Sequence, residues 1–593
     1  MKTLIKKFLL LTDMLRTGAA LGALLTLLFH IGFRLSELTF RVFSEVLWGW
    51  VAAISVILLF STGAAAFLRR KIPMAEIALL LLFALLVLSK YLWISRGEDA
   101  HFLFRFIAQH LVFVYVSLTV FFLVELGKIA ARISGMPFNP AVLFVGSFLL
   151  LILAGTFLLL LPKATVAGIS FHDALFTSVS AVCVTGLIVV DTATAFTPLG
   201  QLFILILIQL GGLGIMTFTS FFAMFFKGQS SVQEALVLKD YLNTLSLGDI
   251  SRFVIKVVSL TLFIEAVGAA IILCTLDNAH FEGFEQKLFF AVFHSVSAFC
   301  NAGFSTLSGG LADSTVQYNY PLHLTVALLV IAGGLGFSIV FNFISYLRHL
   351  VAAFFRHWMA AKPLYVKPWA LHMNSVIVIG TTALLLTGGT LYYLLFEYSG
   401  ALSKHAGFFP RLVSAFFASA TARTAGFNTI SYADLTMASL LFTLLLMWIG
   451  ASPGSTGGGI KTSVFAVAML NIISTARGFT RTEFYRREIA ALSVRRSFAI
   501  IVLSFLVTGV SVFLLCLFET DKQFMQLLFE SVSAMSTVGL SLGITSGLST
   551  AGKYVIMLTM FIGRVGALTL LTTILMQARN KSYAYPEELI LMN

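Results

Sequence analysis

Charge is what this sequence most lacks. Asp, Glu, Lys and Arg make up 11% of its 593 residues, against roughly 25% in an average soluble protein. Hydrophobic residues reach 59%, and mean hydropathy is +0.97. A soluble particle of this composition has too few polar groups to cover its surface. Soluble enzymes and scaffolds are therefore excluded, and a polytopic membrane protein remains. Cysteine is scarce too: Cys183, Cys274, Cys300 and Cys516 form no CxxC pair and no metal-ligand spacing. Disulfide and zinc frameworks are unsupported. Acidic residues are outnumbered, 26 against 39 Lys and Arg. On a soluble protein a pI of 9.6 points to nucleic acid. Here the basic residues read as cytoplasmic loop charge, and no nucleic-acid partner is expected.

Long apolar runs are what the sequence has in abundance. Runs able to span a bilayer, about 20 residues each, occur near 46–68, 75–95, 106–127, 141–161, 199–226, 253–276, 322–347, 372–396, 498–518 and 552–576. A shorter one lies near 18–33, and another, 436–450, stops at a glycine-rich segment and resumes near 463. About twelve crossings follow. The N-terminus starts like a signal peptide, but Asp13 and Arg16 interrupt it and no small-residue cleavage site follows. It reads as an uncleaved first helix. With both termini inside, Arg69, Arg70, Lys71, Lys128, Arg132, Lys227, Lys239, Arg348, Arg356, Arg477, Arg481, Arg486 and Arg487 fall in inside loops, as the positive-inside rule requires. Arg34, Arg41, Lys90, Arg96 and Arg105 in the first outside loops fit less well.

The decisive pattern is an internal repeat. SVSAVCVTG at 178–186, SVSAFCNAG at 295–303, ASATARTAG at 418–426 and SVSAMSTVG at 531–539 align without a gap. Ten residues before each glycine stands Phe176, Phe293, Phe416 or Phe529. Leu187, Phe304, Phe427 or Leu540 follows it. Small residues recur in packed membrane helices, but that does not account for four copies in register between long apolar runs. Each copy reads as helix, short re-entrant helix, glycine-centred loop, helix. Irregular backbone at membrane depth must be buried in protein or line a water path. Four such loops around one axis would present a ring of backbone carbonyls, able to replace the water shell of a cation. Glycine supplies the dihedrals that a Cβ forbids.

These residues resemble the Trk/Ktr/HKT superfamily of potassium transporters, in which one chain carries four pseudo-repeats around one pore. The resemblance covers about 137–593. It implies an all-α polytopic membrane protein whose filter residues fall on Val184, Thr185 and Gly186; Cys300, Asn301, Ala302 and Gly303; Thr424, Ala425 and Gly426; and Thr537, Val538 and Gly539. Sodium-preferring members often carry serine at the place of Gly186, so potassium is implied as the transported ion. The segment GASPGSTGGGIKT at 450–462 resembles the family's intramembrane gating loop, with Gly454, Ser455, Thr456, Gly457, Gly458 and Gly459 at its centre. It fails as a phosphate-binding loop, because Ile460 separates Gly459 from Lys461 and no strand precedes it. Arg564, about 12 residues into the last apolar run and roughly 18 Å along it, matches an arginine that the family uses as a barrier to cations beneath the filter. A structural arginine paired to a carboxylate or to carbonyls is the competing reading.

The expected organisation is about four extra N-terminal transmembrane helices at 1–136, either packed at the periphery or serving assembly, then pore repeats at 137–245, 246–365, 366–490 (with the loop 450–462) and 491–593. The resemblance implies a homodimer in the bacterial cell (inner) membrane on a cytoplasmic ring of nucleotide-binding regulatory subunits. Nucleotide would then sit only on that partner. The basic loops at 348–367 and 477–496 either dock such a ring or are ordinary positive-inside charge. The ending YPEELILMN at 585–593 resembles the Ktr type. GGLG at 211–214 and 333–336 serves close helix packing or a hinge. Asp173, Asp191, Asp277, Glu282, Glu285, Asp434, Asp521 and Glu530 gather at the predicted outer face, either to concentrate cations or as solvated loop charge. Glu265, in an apolar helix, is expected to pair with a nearby cation. No role falls to His172 or His294. An alternating-access transporter would show two pseudo-symmetric halves instead of four repeats. A membrane enzyme would need clustered acids, histidines or a nucleophile; none stands out, and no enzymatic activity is expected.

Overall fold

The computed structural model describes residues 2–67, 74–97, 101–133, 140–214, 250–277, 281, 283–360 and 372–574. The tail 585–593, Glu282, Lys227 and Lys239 lie outside them. Five helices form an N-terminal bundle: α1 (Lys2–Gly32), α2 (Glu37–Phe67), α3 (Met74–Arg96), the short α4 (Phe102–Gln109) and α5 (Leu111–Ile133). Leu47, Val51, Ile54, Phe83, Val114 and Phe121 fill its centre. Its polar groups settle among themselves. Arg16, the residue that broke the apolar run in the sequence, is buried between Glu76 (3.2 Å) and Glu125 (2.8 Å). Lys128 binds the same two carboxylates at 2.7 and 3.1 Å. Two positive and two negative groups leave no net charge in the apolar bundle, which is the condition for burying them. The bundle meets the rest of the chain where the Lys163 amide donates to the Gly32 carbonyl (2.8 Å) and Arg34 to the Val166 carbonyl (3.4 Å). It sits at the periphery, one of the two options for these helices.

Four similar units follow. The first is α6 (Pro140–Leu159), α7 (Phe171–Val182), α8 (Thr192–Ala195) and α9 (Pro198–Leu213). The second is α10 (Ile250–Thr275), α11 (Phe284–Phe299), α12 (Tyr320–Gly334) and α13 (Phe337–Ala360). The third is α14 (Met373–Phe396), α15 (Phe408–Thr421), α16 (Met437–Trp448) and α17 (Thr462–Ala476). The fourth, after a two-residue-strand hairpin (β1 Glu483–Phe484, β2 Arg487–Glu488), is α18 (Ala491–Phe518), α19 (Phe524–Met535), α20 (Thr550–Val565) and α21 (Ala567–Ile574). Among the described residues, eight helices are long and apolar enough to cross a membrane. Some of the apolar runs read as single crossings in the sequence are pairs of shorter helices. The run 322–347 is broken at Gly336 (φ 82°), 552–576 at Gly566 (φ 90°), and α9 ends at Gly214 (φ 75°). Side chains of Thr197, Asn319, Thr436 and Ser549 cap the helix that returns after each loop, satisfying orphan amides inside an apolar chain.

Three of the four re-entrant helices dock on the long helix before them through one serine. Ser178 donates to the Ile152 carbonyl (2.7 Å), Ser295 to that of Glu265 (2.7 Å) and Ser419 to that of Leu386 (3.0 Å). Gly155, Gly268 and Gly389 open the space these hydroxyls occupy. In the fourth unit Ser531 is buried without a partner. This docking corrects the gapless alignment. Ser419 and Thr421, not Ala418 and Ala420, match Ser178 and Ser180, so the third unit is one residue shorter before its glycine. The buried phenylalanine is accordingly Phe417, equivalent to Phe176, Phe293 and Phe529, whereas Phe416 is only half-buried.

Glu125→Gln leaves Arg16 and Lys128 sharing one carboxylate. A loss of about 3 kcal/mol is expected, read as a lower midpoint of thermal unfolding. An unchanged midpoint would mean that the charge network does not hold the bundle.

Candidate functional site

The four loops after α7, α11, α15 and α19 share one backbone path. Two residues before each glycine stands a residue with positive φ: Val184 (56°), Asn301 (59°), Thr424 (76°) and Thr537 (49°). The glycines follow at Gly186 (90°), Gly303 (70°), Gly426 (79°) and Gly539 (93°). Positive φ costs a β-branched residue energy, so surrounding structure must impose it. The preceding helix does so. Amides of Thr185, Ala302 and Val538 donate to the carbonyls of Ser180, Ser297 and Ser533 at 2.8, 2.8 and 2.9 Å, and that of Ala425 to Thr421 at 3.0 Å. The Ser180 and Ser533 hydroxyls accept from the amides of Gly186 and Gly539, each at 3.1 Å. Those of Ser297 and Thr421 donate instead to the carbonyls of Phe304 (2.8 Å) and Phe427 (2.7 Å). The repeated serine thus spans the loop from inside the helix.

The four glycines close a ring. A Cβ on Gly186 would fall on the carbonyl oxygen of Ala302, one on Gly303 on that of Ala425, one on Gly426 on that of Val538, and one on Gly539 on that of Thr185. Each loop therefore abuts the carbonyl of the next, in chain order, and the fourth abuts the first. Thr185, Ala302, Ala425 and Val538 hold the same place in each loop, so their carbonyls are brought to one level. The helices α7, α11, α15 and α19 end beside this ring, where their C-terminal dipoles favour a cation. Cys300 departs from its place among the loop residues. It caps α11, and its thiol turns toward Gln209 (3.7 Å) and Glu265 (3.9 Å).

Close approach explains the glycines of the returning helices. A Cβ at Gly211, Gly333 or Gly563 would meet the carbonyl of Val182, Phe299 or Met535, each four residues before a loop glycine. GGLG thus serves the expected close packing, and GRVG does the same. The first glycine lets the helix pass under the re-entrant helix, and the last, with positive φ, ends it.

The segment 450–461 lies directly beneath the loops. Its limbs are joined by the Gly450 amide donating to the Ile460 carbonyl (2.8 Å). Thr456 donates to the Phe299 carbonyl (3.1 Å). Cβ positions built on Gly457 and Gly458 would meet the hydroxyls of Thr424 and Thr537, and Gly459 lies by the carbonyl of Ser536. Gly454 instead accepts from the Phe337 amide (3.1 Å), and Ser455 bonds back to Ser452 (2.6 Å). Above the segment, the Asn301 amide pairs with the Thr424 hydroxyl at 3.2 Å, whichever way the amide is turned. Arg564 donates to two backbone carbonyls, Thr456 in the segment and Gly211 at the end of α9. Sequence reading missed Lys461, whose ammonium donates to the carbonyls of Gly457 (2.7 Å) and Gly458 (3.4 Å). Its signal was the lysine directly after a glycine run inside a membrane segment.

Other expectations change. Glu265 has no cation beside it among the described residues; it accepts from Gln209 (3.1 Å) and lies by the Cys300 thiol. Glu530 is fully buried and binds Ser541 (2.8 Å) and Thr545, pinning the chain beyond Gly539. Asp173 pairs with Lys553 (2.8 Å), Asp434 with Lys404 (3.0 Å) and Asp521 with Lys522 (2.8 Å), while Asp191 caps α8. These acids are engaged locally. His172 meets the Tyr554 hydroxyl (2.8 Å), and His294 sits between the Phe290 carbonyl and Ser305 (both 2.9 Å).

The TrkH family profile, described as cation transport protein, matches residues 139–583. The potassium/sodium uptake protein NtpJ of Enterococcus hirae is 36% identical over 462 residues, covering 77% of this chain and 97% of that protein. The Ktr system potassium uptake protein B of Bacillus subtilis is 36% identical over 438 residues, 72% of this chain and 91% of that one. The crystal structure of the potassium transporter TrkH from Vibrio parahaemolyticus superposes with a TM-score of 0.58 at 18% identity, covering 90% of this chain and 98% of that one; at that identity the likeness is one of fold.

Gly333→Ala is expected to abolish folded protein, because its methyl group falls on the Phe299 carbonyl. Gly380→Ala on α14 meets nothing within 4 Å and should be neutral or stabilising by about 0.5–1 kcal/mol. Monodispersity and thermal midpoints of the two variants check the contrast.

Proposed function

Since the chain belongs to the TrkH family of cation transport proteins, membrane proteins rather than enzymes, we propose that it takes up potassium through a single channel-like pore. The ring of glycines and carbonyls carries this reading. Potassium sheds water to carbonyls of the four loops, in an aperture whose spacing is set by loop-to-loop contact. Gly186 leaves its sector free of a side chain, which favours potassium over sodium by the family resemblance. Beneath the ring, 450–461 is the gate. Arg564 latches it through Thr456 to the end of α9, and Lys461 fastens its glycine run from the other limb. Both cations stand where an ion leaving the filter would pass, so they oppose its passage while the loop stays in place. Opening removes the loop and frees Arg564. On this reading the loops face the outside and both termini lie in the cytoplasm. A homodimer on a cytoplasmic nucleotide-binding ring, as the resemblance implies, would supply the force.

Rubidium and sodium flux into proteoliposomes tests the filter. The parent should favour rubidium, and Gly186→Ser should admit sodium. Rubidium and sodium passing alike through the parent would end the potassium reading. Arg564→Ala tests the latch. Losing two charge-assisted hydrogen bonds, each worth about 1.5 kcal/mol or more, should raise rubidium flux at least about tenfold. Flux unchanged or reduced would remove Arg564 from the gate.

A further inference from the structure

The third unit differs from the others at one residue. Where its loop is a residue short, Arg423 stands just past the end of α15. Its side chain lines a small, open-mouthed cavity of about 10 Å3, room for a single water-sized particle, also lined by Ser452, Thr462, Thr382, Gly334 and Val330. Arg423 is 8% exposed, Ser452 1% and Thr462 0%. The Arg423 Nε and the hydroxyls of Ser452 and Thr462 have no hydrogen-bond partner, and Arg423 makes no ion pair among the described residues. An unpaired guanidinium at membrane depth costs at least about 2.5 kcal/mol, and buried unpaired donors add to it. Everything polar named here can donate; no carboxylate lines the cavity.

We propose that this cavity binds a small monovalent inorganic anion of chloride's kind, held by Arg423 and by the hydroxyls of Ser452 and Thr462. One negative charge balances one guanidinium, whereas a doubly charged phosphate would bring an uncompensated charge into an apolar interior. Ser452 and Thr462 flank the intramembrane loop, so the anion ties both of its ends to the third filter loop. That last consequence rests on reading 450–461 as the gate; binding itself does not.

Binding is tested first, without transport. Chloride replaces gluconate at constant ionic strength around the purified full-length protein, and the thermal midpoint is followed. A saturable upward shift is expected, absent in Arg423→Gln. In Ser452→Ala/Thr462→Val the shift should need at least about tenfold more chloride. Should Arg423→Gln fail to fold, the double variant and the position of bromide by anomalous scattering decide. Equal midpoints in chloride and gluconate, a shift that persists in Arg423→Gln, a shift at the parent's chloride concentration in the double variant, or bromide absent from Arg423 would overturn the site. Rubidium flux is then compared in the two salts. Higher flux without chloride is expected. Equal flux with binding intact would overturn the tie to the loop alone, while absence of flux under every salt would count against the pore.

Discussion

Each loop glycine of this protein leans on the carbonyl of the next loop, and the rest of the four units is built around that contact. A methyl group at any of the four positions would push two sectors apart. The contact in turn demands an irregular backbone in an apolar setting, where unsatisfied peptide groups are costly. The preceding helix answers for the loop amides, the repeated serine or threonine spans each loop, and Gly211, Gly333 and Gly563 let the returning helices pass close underneath. In three of the units the serine on the outer face of the re-entrant helix then fixes its height against the long helix before it.

The repeat was legible because its chemistry is rare: glycine in a small-residue run, four times, between long hydrophobic stretches. The loop 450–461 was legible for the same reason, since no helix holds that many glycines. Other features were hidden by the same apolar background. Hydropathy does not see one glycine with positive φ, so 322–347 and 552–576 read as unbroken. The one-residue difference in the third unit disappears when glycines are aligned first, because only the docking of Ser419 reveals which helix residue corresponds. Glu530 and Asp173 looked alike as outer acids, but burial separates them, and burial is a tertiary fact.

The buried cations that have partners are stabilised in two ways. The N-terminal bundle balances Arg16 and Lys128 with Glu76 and Glu125, giving a neutral and permanent knot. Arg564 and Lys461 rely on backbone carbonyls. Carbonyls solvate the Lys461 cation without neutralising it, so its positive charge persists beside the loop. The first arrangement suits a rigid peripheral element. The second suits a movable segment, since carbonyls can be exchanged for water when the loop withdraws.

The one-residue deletion in the third unit has a wider meaning. A ring assembled from four identical chains repeats every substitution four times, so a lone arginine beside its aperture could never arise there. Here each quadrant is written separately in one gene, and Arg423 appears once. Mutation can therefore tune one quadrant while three conserve the aperture. Such a ring is free to evolve lopsidedness, with ion choice kept by the majority and new control acquired by a single member.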